Sequence, residues 1–300
     1  MPSTKEIRRR IKSVKNIQQI TKAMKMVAAA RLRRAQERAM SSQPYTSKVQ
    51  EALSSVARSI AEEVRDEVVH PLLEVREVNK KCYLILGADK GLAGAYTSNL
   101  LKEVTPQVSG KDDVALVTVG RKVRDFYRRR NYEIDSSYLG ISEKPSFKDA
   151  STIASFLAEK YIQAEYDEIY IVYTHFYSPA HVKPVTIKLL PIADAGSLVP
   201  NEAKNDEAVT AVEANMEYIF EPNPKEVLSF LVPKYIETVI YSSLLQAAAS
   251  ELGSRMAAMS LATDNAQELI SELTLYYNKV RQASITTEIT EIVSGAEALK

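Results

Sequence analysis

The sequence predicts an α/β protein: a long antiparallel coiled coil of the N- and C-terminal helices, with an inserted Rossmann-like domain containing a mostly parallel sheet. Three observations support this. The last 67 residues contain no proline and repeat apolar residues at helical spacing; the first 66 carry a similar stripe; residues 80–220 alternate short apolar runs with helical patterns. The predicted domains are residues 1–75, 76–222 and 223–300, with the last helix pairing with residues 1–66.

The C-terminal stretch from Lys234 to Lys300 is too long for a helix inside a globule of this size. As one helix it would measure about 100 Å, at about 1.5 Å per residue. An average globular helix has about 11–12 residues. Such a helix needs a partner along its length, and the predicted partner is the N-terminal segment running antiparallel. The helix is expected to begin near Lys225, with a possible kink at Pro233.

The N-terminal segment is also helical in pattern, and it is strongly basic. Ser3 and Glu6 match a capping box. The stripe that follows comprises Ile7, Ile11, Val14, Ile17, Ile20, Met24 and Val27. Pro44 predicts a kink or break, after which the helix resumes to about residue 66. Residues 1–40 hold twelve Lys or Arg against two Glu, a net +10, so with a whole-chain charge of +1 the other residues carry −9.

Three interpretations of this basic helix compete. A mitochondrial transit peptide is similarly amphipathic, but this pattern persists for some sixty residues without a small-residue processing zone. A helix lying on an anionic membrane is also basic, yet this apolar stripe is narrow and lacks Trp, Phe and Leu. Pairing with the C-terminal helix buries both stripes and is favoured. A nucleic-acid binder using the basic helix remains a further alternative.

The central region has the rhythm of a βαβ domain. Five strands are expected, over residues 82–87, 114–120, 168–174, 184–192 and 216–220, with helices over 93–104, 122–130 and 147–162. The polar, acidic connection over residues 193–211 is expected to be a loop.

Signals for catalysis or ligand binding are weak. The loop from Gly87 to Gly94 follows a strand and precedes a helix, where phosphate-binding loops occur, but its glycine spacing matches neither common nucleotide fingerprint and favours a tight turn. Glu288 and Glu291 share a helix face and are interpreted as solvated. The three histidines are scattered, so no metal site or cofactor is expected. A nucleotide-binding enzyme built on the central α/β domain is retained as the alternative function.

Several motifs, in order along the whole chain, resemble the γ subunit of F-type ATP synthases. They are Ile11–Ala29, Asp89–Gly94, Ser254–Met256, Ala262–Ala266, Tyr277–Ser284 and Ile285–Ala296. The resemblance implies a non-catalytic central rotor stalk that transmits torque between the proton-driven c ring and the catalytic β subunits. The implied partners are the α3β3 ring, the ε subunit and the c ring, without nucleic acid and without a transmembrane span.

The resemblance also implies partner-contact residues. Met24 and Lys25 are expected near the acidic loop at the lower end of β, with Arg255 in the opposite helix. Arg281, Gln282 and Thr286 are expected against the β loop that holds the upper shaft, and Tyr218 where γ meets ε and the c ring. From its charge, the basic patch including Arg8, Arg9 and Arg10 is expected to engage the acidic β loop. No presequence is apparent, so a bacterial member at the cytoplasmic face of the cell membrane, bound peripherally, is expected.

Overall fold

The computed structural model describes residues 3–63, 70–110, 113–179, 181–192 and 221–298. The elements in chain order are α1 (Thr4–Glu63), a 3-10 turn (Pro71–Leu73), β1 (Lys81–Leu86), α2 (Tyr96–Val108), β2 (Val114–Val119), α3 (Arg121–Arg128), β3 (Ile134–Tyr138), α4 (Phe147–Ile162), β4 (Glu168–Ser178), β5 (His181–Leu190) and α5 (Pro224–Ala298). The predicted fold class is confirmed: long terminal helices and a mostly parallel sheet between them in the chain.

The chain forms two compact units. One comprises Met1–Ala29 and Arg255–Lys300 and is called here the paired-helix unit; the other comprises Ala30–Ser254 and is called the sheet unit. The helices α1 and α5 therefore each contribute residues to both units.

The sheet of the sheet unit has the strand order β3-β2-β1-β4-β5. The first four strands are parallel, and β5 is antiparallel to β4. Side chains alternate between two cores along β1, as the period of a strand requires. Cys82, Leu84 and Leu86 face one core, which α4 and the sheet-unit parts of α1 and α5 complete. Tyr83 and Ile85 face the other core, which α2 and α3 cover.

Both terminal helices continue through their prolines. The helix is continuous at Pro44, where a kink or break was expected, and at Pro233, where a kink was expected. A helical proline removes one backbone donor. Around Pro44, side chains add donors in the interrupted turn: Ser42 Oγ donates to the Ala39 carbonyl at 2.9 Å and Thr46 Oγ1 to the Ser42 carbonyl at 3.1 Å. Neither bond replaces the one that Met40 C=O loses to the proline; burial of Val49, Leu53 and Val56 in the core of the sheet unit supports the helix as it runs on to Glu63.

Within the described residues, the predicted strands and helices match the observed elements with shifted ends, and one observed strand was not predicted. The unpredicted strand is β3, whose sequence IDSSY is mostly polar and whose burial alternates along a sheet edge. The strand expected over residues 216–220 and the acidic loop expected over residues 193–211 lie outside the described residues.

Candidate partner-binding surface of the paired helices

Polar contacts between α1 and α5 define the register of the paired-helix unit. Arg8 Nη2 donates to Tyr277 Oη at 2.7 Å, Gln18 Nε2 to Gln267 Oε1 at 2.8 Å, Thr263 Oγ1 to Thr21 Oγ1 at 2.9 Å, and Lys25 Nζ to Ser260 Oγ at 2.9 Å. As the residue number rises along α1, its partner's number falls along α5 at nearly the same rate. The two helices therefore pair antiparallel, as the sequence predicted.

The buried seam of this unit is narrower than the predicted stripe. Ile7, Thr21 and Ala28 are buried at intervals of seven or fourteen residues, which is heptad spacing. Predicted stripe members Ile17, Ile20 and Val27 are instead 50%, 59% and 52% exposed. The apolar residues of α1 cover a wider arc than one partner helix can bury, so part of the predicted stripe lies on the outer surface.

The N-terminal end of α1 carries the cluster Arg8, Arg9 and Arg10. Arg8 lies over the Tyr277 ring, with its guanidinium carbon 5.5 Å from the ring centroid. Arg10 pairs with Glu6 at 2.8 Å. The expected capping box is present in its first half, since the Glu6 N–H bonds Ser3 Oγ at 3.3 Å, while the Glu6 carboxylate pairs with Arg10. All three arginines remain exposed.

The last turns of α5 form an exposed helical tip. With Tyr277 opposite Arg8, the register places Arg281 level with the first turn of α1. Every residue from 281 to 296 is exposed, including Arg281, Gln282 and Thr286. The tip beyond Arg281 is about 25 Å long, from about 1.5 Å per residue. It presents four large apolar side chains to solvent: Ile285, Ile289, Ile292 and Val293.

Lys25 and Met24 lie farther down the paired helices. Lys25 is exposed and Met24 is half-buried. They lie about 24 Å along α1 from the Arg8–Arg10 cluster, at about 1.5 Å per residue. The predicted contact residues thus form two groups, one near the tip and one near Ser260. Because of this separation, one short loop of a partner cannot contact both groups at once.

Arg255 and Tyr218 complete the predicted set. Arg255 is only 6% exposed, so little of its surface is accessible to a partner. Tyr218 lies outside the described residues. The structure brings Arg8–Arg10 and Arg281 to the same end of the unit, and the assigned partner contacts of all these residues remain predictions. The sequence predicted Ile17, Ile20 and Val27 to be buried, whereas they are exposed. Thr21 and Ala28 also lie at helical spacing, and they mark the face of α1 that is buried.

The loop from Gly87 to Gly94 in the sheet unit has a structural role. The Asp89 carboxylate accepts backbone N–H bonds from Arg121 at 3.2 Å, Gly140 at 2.8 Å and Ser142 at 3.3 Å. The loop thus uses its own carboxylate to hold the start of α3 and the segment after β3 in place. The close approach at Gly87, where an added Cβ would be 2.1 Å from Val123 Cγ2, explains one glycine by packing. These observations support the tight-turn interpretation of this loop.

The described part of the chain contains neither a candidate metal site nor a candidate membrane-spanning helix. Among those residues, no group of three or more His, Cys, Asp or Glu side chains is placed to hold a metal ion. None of the helices there combines the length and apolar character that crossing a bilayer requires.

Comparisons with known proteins cover nearly the full chain. A family model described as ATP synthase matches residues 3–299. The ATP synthase gamma chain of Heliobacterium modesticaldum is 46% identical over 299 residues, with 100% of both chains covered. That of Brevibacillus brevis is 43% identical, with 98% of each covered.

Solved structures show the same fold. The central stalk and c ring of the Tetrahymena thermophila mitochondrial ATP synthase contain a chain that is 25% identical, with a TM-score of 0.60 over 81% of this chain and 99% of that one. A chain of the Euglena gracilis mitochondrial ATP synthase rotor, 18% identical, has a TM-score of 0.64 over 94% and 98%. By full-length sequence identity and by its family match, this chain belongs to the ATP synthase gamma chain family.

Proposed function

We propose that this chain is the rotating central stalk of an F-type ATP synthase and transmits torque between a proton-driven c ring and catalytic β subunits. The observation that carries the proposal is the helical tip beyond Arg281. It is long, exposed and apolar on part of its surface, although it is the end of a helix paired with α1 over its preceding turns. Exposed apolar patches of this kind mark protein-binding surfaces.

In this proposal, a ring of α and β subunits surrounds the tip and buries its exposed apolar side chains. The apolar residues Ile285, Ile289 and Ile292 pack inside this ring, while Arg281, Gln282 and Thr286 contact the β loop around the upper shaft. Met24 and Lys25 meet the acidic β loop lower down, with Arg255 alongside them in the opposite helix. Exposed ion pairs contribute only about 0–1 kcal/mol, so these contacts exchange as the stalk turns.

The remaining assignments follow the same proposal. The central domain, residues 76–222, contacts the ε subunit and the c ring, with Tyr218 at that junction, and the helices of residues 1–75 and 223–300 form the shaft. The chain itself has no active site, because ATP forms on β. It lies peripherally at the cytoplasmic face of the bacterial cell membrane. Support comes from the family membership and from the full-length identity to bacterial gamma chains.

Coexpression with the α and β subunits tests the proposal. We expect an ATP-hydrolysing complex whose assembly requires this chain, and a probe on the central domain should rotate relative to the α3β3 ring. A chain truncated after Arg281 retains the paired region and serves as the matched variant; it should assemble poorly or rotate with reduced torque. ATP hydrolysis by the chain alone, or an equally active α3β3 complex without it, would refute the proposal.

A further inference from the structure

A cavity of about 450 Å³ lies within the sheet unit, between α1 and the loops that follow β1 and β3. Buried Ala35, Leu245 and Ala248 form an apolar floor. The wall carries five cationic side chains: Arg31, Arg34, Arg38, Lys90 and Lys144. The three arginines are spaced three and four residues apart on α1, so they share one face of the helix.

Most of this positive charge has no counter-charge among the residues that the structure describes. Glu143 is the carboxylate in the wall, and it pairs with Arg31 Nη1 at 2.5 Å and with Lys90 Nζ at 3.0 Å. Within the described part of the chain, Arg34, Arg38 and Lys144 have no carboxylate oxygen within 4 Å. The described lining residues sum to a formal charge of +4, with the Asp89 carboxylate behind the wall on the Gly140 N–H.

The cavity also lies at the edge of the sheet where α/β proteins bind ligands. Lys90 follows the carboxyl end of β1, and Glu143 and Lys144 follow that of β3. Ligands of open parallel sheets bind outside such carboxyl ends, most often where the strand order reverses, which here is between β1 and β4; this cavity lies to the β3 side of that point. Asp89 bonds the Gly140 and Ser142 N–H groups, which holds the two loops together, so this part of the wall is ordered before any ligand enters.

We propose that this cavity binds an oligophosphate, either as an inorganic chain or as the polyphosphate of a nucleotide. Guanidinium groups bind phosphate through paired N–H donors, and three of them line one wall. The volume lies in the range of small-molecule sites, roughly 300–1,000 Å³. In the free chain Glu143 partly neutralises Arg31 and Lys90, so it competes with the ligand for these two cations. The Gly87–Gly94 turn contributes only the Lys90 side chain to the site, while its Asp89 carboxylate binds N–H groups of the loop after β3.

Titration calorimetry of the full chain tests the proposal, with tripolyphosphate, ATP and AMP as probes at low salt. The double variant R34Q/R38Q should bind tripolyphosphate about tenfold or more weakly, since two charge-assisted contacts are lost. The control R128Q/R129Q removes the same charge from exposed arginines of the α3 end and should bind as the wild type does. E143Q should bind more tightly, whereas E103Q, an exposed glutamate on α2, should not.

The outcomes distinguish a nucleotide from an inorganic phosphate chain, and both from non-specific attraction or an acidic peptide. Tripolyphosphate and ATP binding alike, with AMP weaker, supports the proposal with a nucleotide as one source; tripolyphosphate alone supports an inorganic chain. Equal losses in the two double variants mean non-specific attraction and overturn it. Tighter binding of a poly-glutamate peptide than of tripolyphosphate, sensitive to R34Q/R38Q, overturns it in favour of an acidic protein segment. Failure here leaves the stalk proposal intact, because assembly with α and β is measured separately.

Discussion

Replacing Glu168 with glutamine removes the centre of a buried ionic cluster at the start of β4. The carboxylate accepts hydrogen bonds from Lys188 Nζ at 2.7 Å, Lys81 Nζ at 2.9 Å and Tyr170 Oη at 3.0 Å. Burial by itself raises the pKa of Glu168, but the bonds from Lys188, Lys81 and Tyr170 outweigh it and lower the pKa to about 2. The cluster joins β1, β4 and β5, so its loss affects three neighbouring strands.

The magnitude follows from this pKa. A folded-state pKa near 2, compared with 4.5 for an unperturbed glutamate, corresponds to about 3 kcal/mol at neutral pH, at about 1.36 kcal/mol per unit. The side chains of Lys81 and Lys188 are 37% and 35% exposed, so water partly solvates them when the carboxylate is lost. We therefore expect Glu168→Gln to lower the free energy of unfolding by about 1–2 kcal/mol at pH 7.

The direction of the pKa shift determines how the stabilisation by Glu168 changes with pH. Because the folded pKa lies below the unfolded value, the stabilisation is complete above about pH 4.5 and is lost as the pH falls towards 2. Urea unfolding of the full chain should show a gap between wild type and Glu168→Gln that is about half as large at pH 3 as at pH 7. Glu133→Gln, at an exposed position, serves as the control. A gap that is absent at pH 7, or unchanged at pH 3, contradicts the reasoning.

Three further predictions concern packing, pairing and the tip. Gly87→Ala should destabilise the chain by about 1–3 kcal/mol in urea unfolding, because its Cβ would collide with Val123 Cγ2 at 2.1 Å. Arg8→Gln should lower the free energy of unfolding by about 0.5–1 kcal/mol, since it removes the contact with the Tyr277 ring. Ile289→Gln should leave the melting temperature of the free chain unchanged, because Ile289 is 56% exposed, and should reduce the yield of the complex with α and β.

Each of these predictions has a matched control. Gly91→Ala has only the flexible end of Lys122 nearby, at 3.8 Å, and should be tolerated; equal losses at Gly87 and Gly91 would contradict the steric argument. Arg9 lies beside Arg8 in the sequence, and Arg9→Gln should lower the free energy of unfolding less than Arg8→Gln does. Ile7→Gln, at a buried position, should destabilise the free chain, unlike Ile289→Gln. Full complex yield with Ile289→Gln would argue against a binding role for the tip.

The local sequence pattern was sufficient to predict most of the helices and strands. The apolar runs that became β1, β2 and β4 are buried on both faces, and a strand in that setting must be apolar throughout. The strand β3 was missed because it lies at the sheet edge, where Ser136 and Ser137 are tolerated and only Ile134 and Tyr138 are apolar. Pairing with β2, which no local pattern encodes, makes this segment a strand.

The candidate site, like the fold, was predicted only in part from the sequence. The basic charge of α1 and the repeats of α5 are properties of the sequence, as is the resemblance of both ends to one family. The buried side of α1 was predicted in part: Ile7 is buried and Ile11, Val14 and Met24 are half-buried, as expected. Ile17 and Ile20 are exposed instead, because they match a helical repeat as well as Thr21 and Ala28 do. The choice between those faces depends on where α5 lies, and so does the burial of Arg255.

The sequence alone therefore determined the helical and strand periods, the antiparallel pairing and the family, since each depends on residue type and spacing along the chain. Tertiary structure decided the register of Arg8 with Tyr277, the exposed length of the tip, and the meeting of Arg31, Lys90 and Glu143 around one cavity. These features join residues distant in the chain, and only packing in three dimensions brings them together.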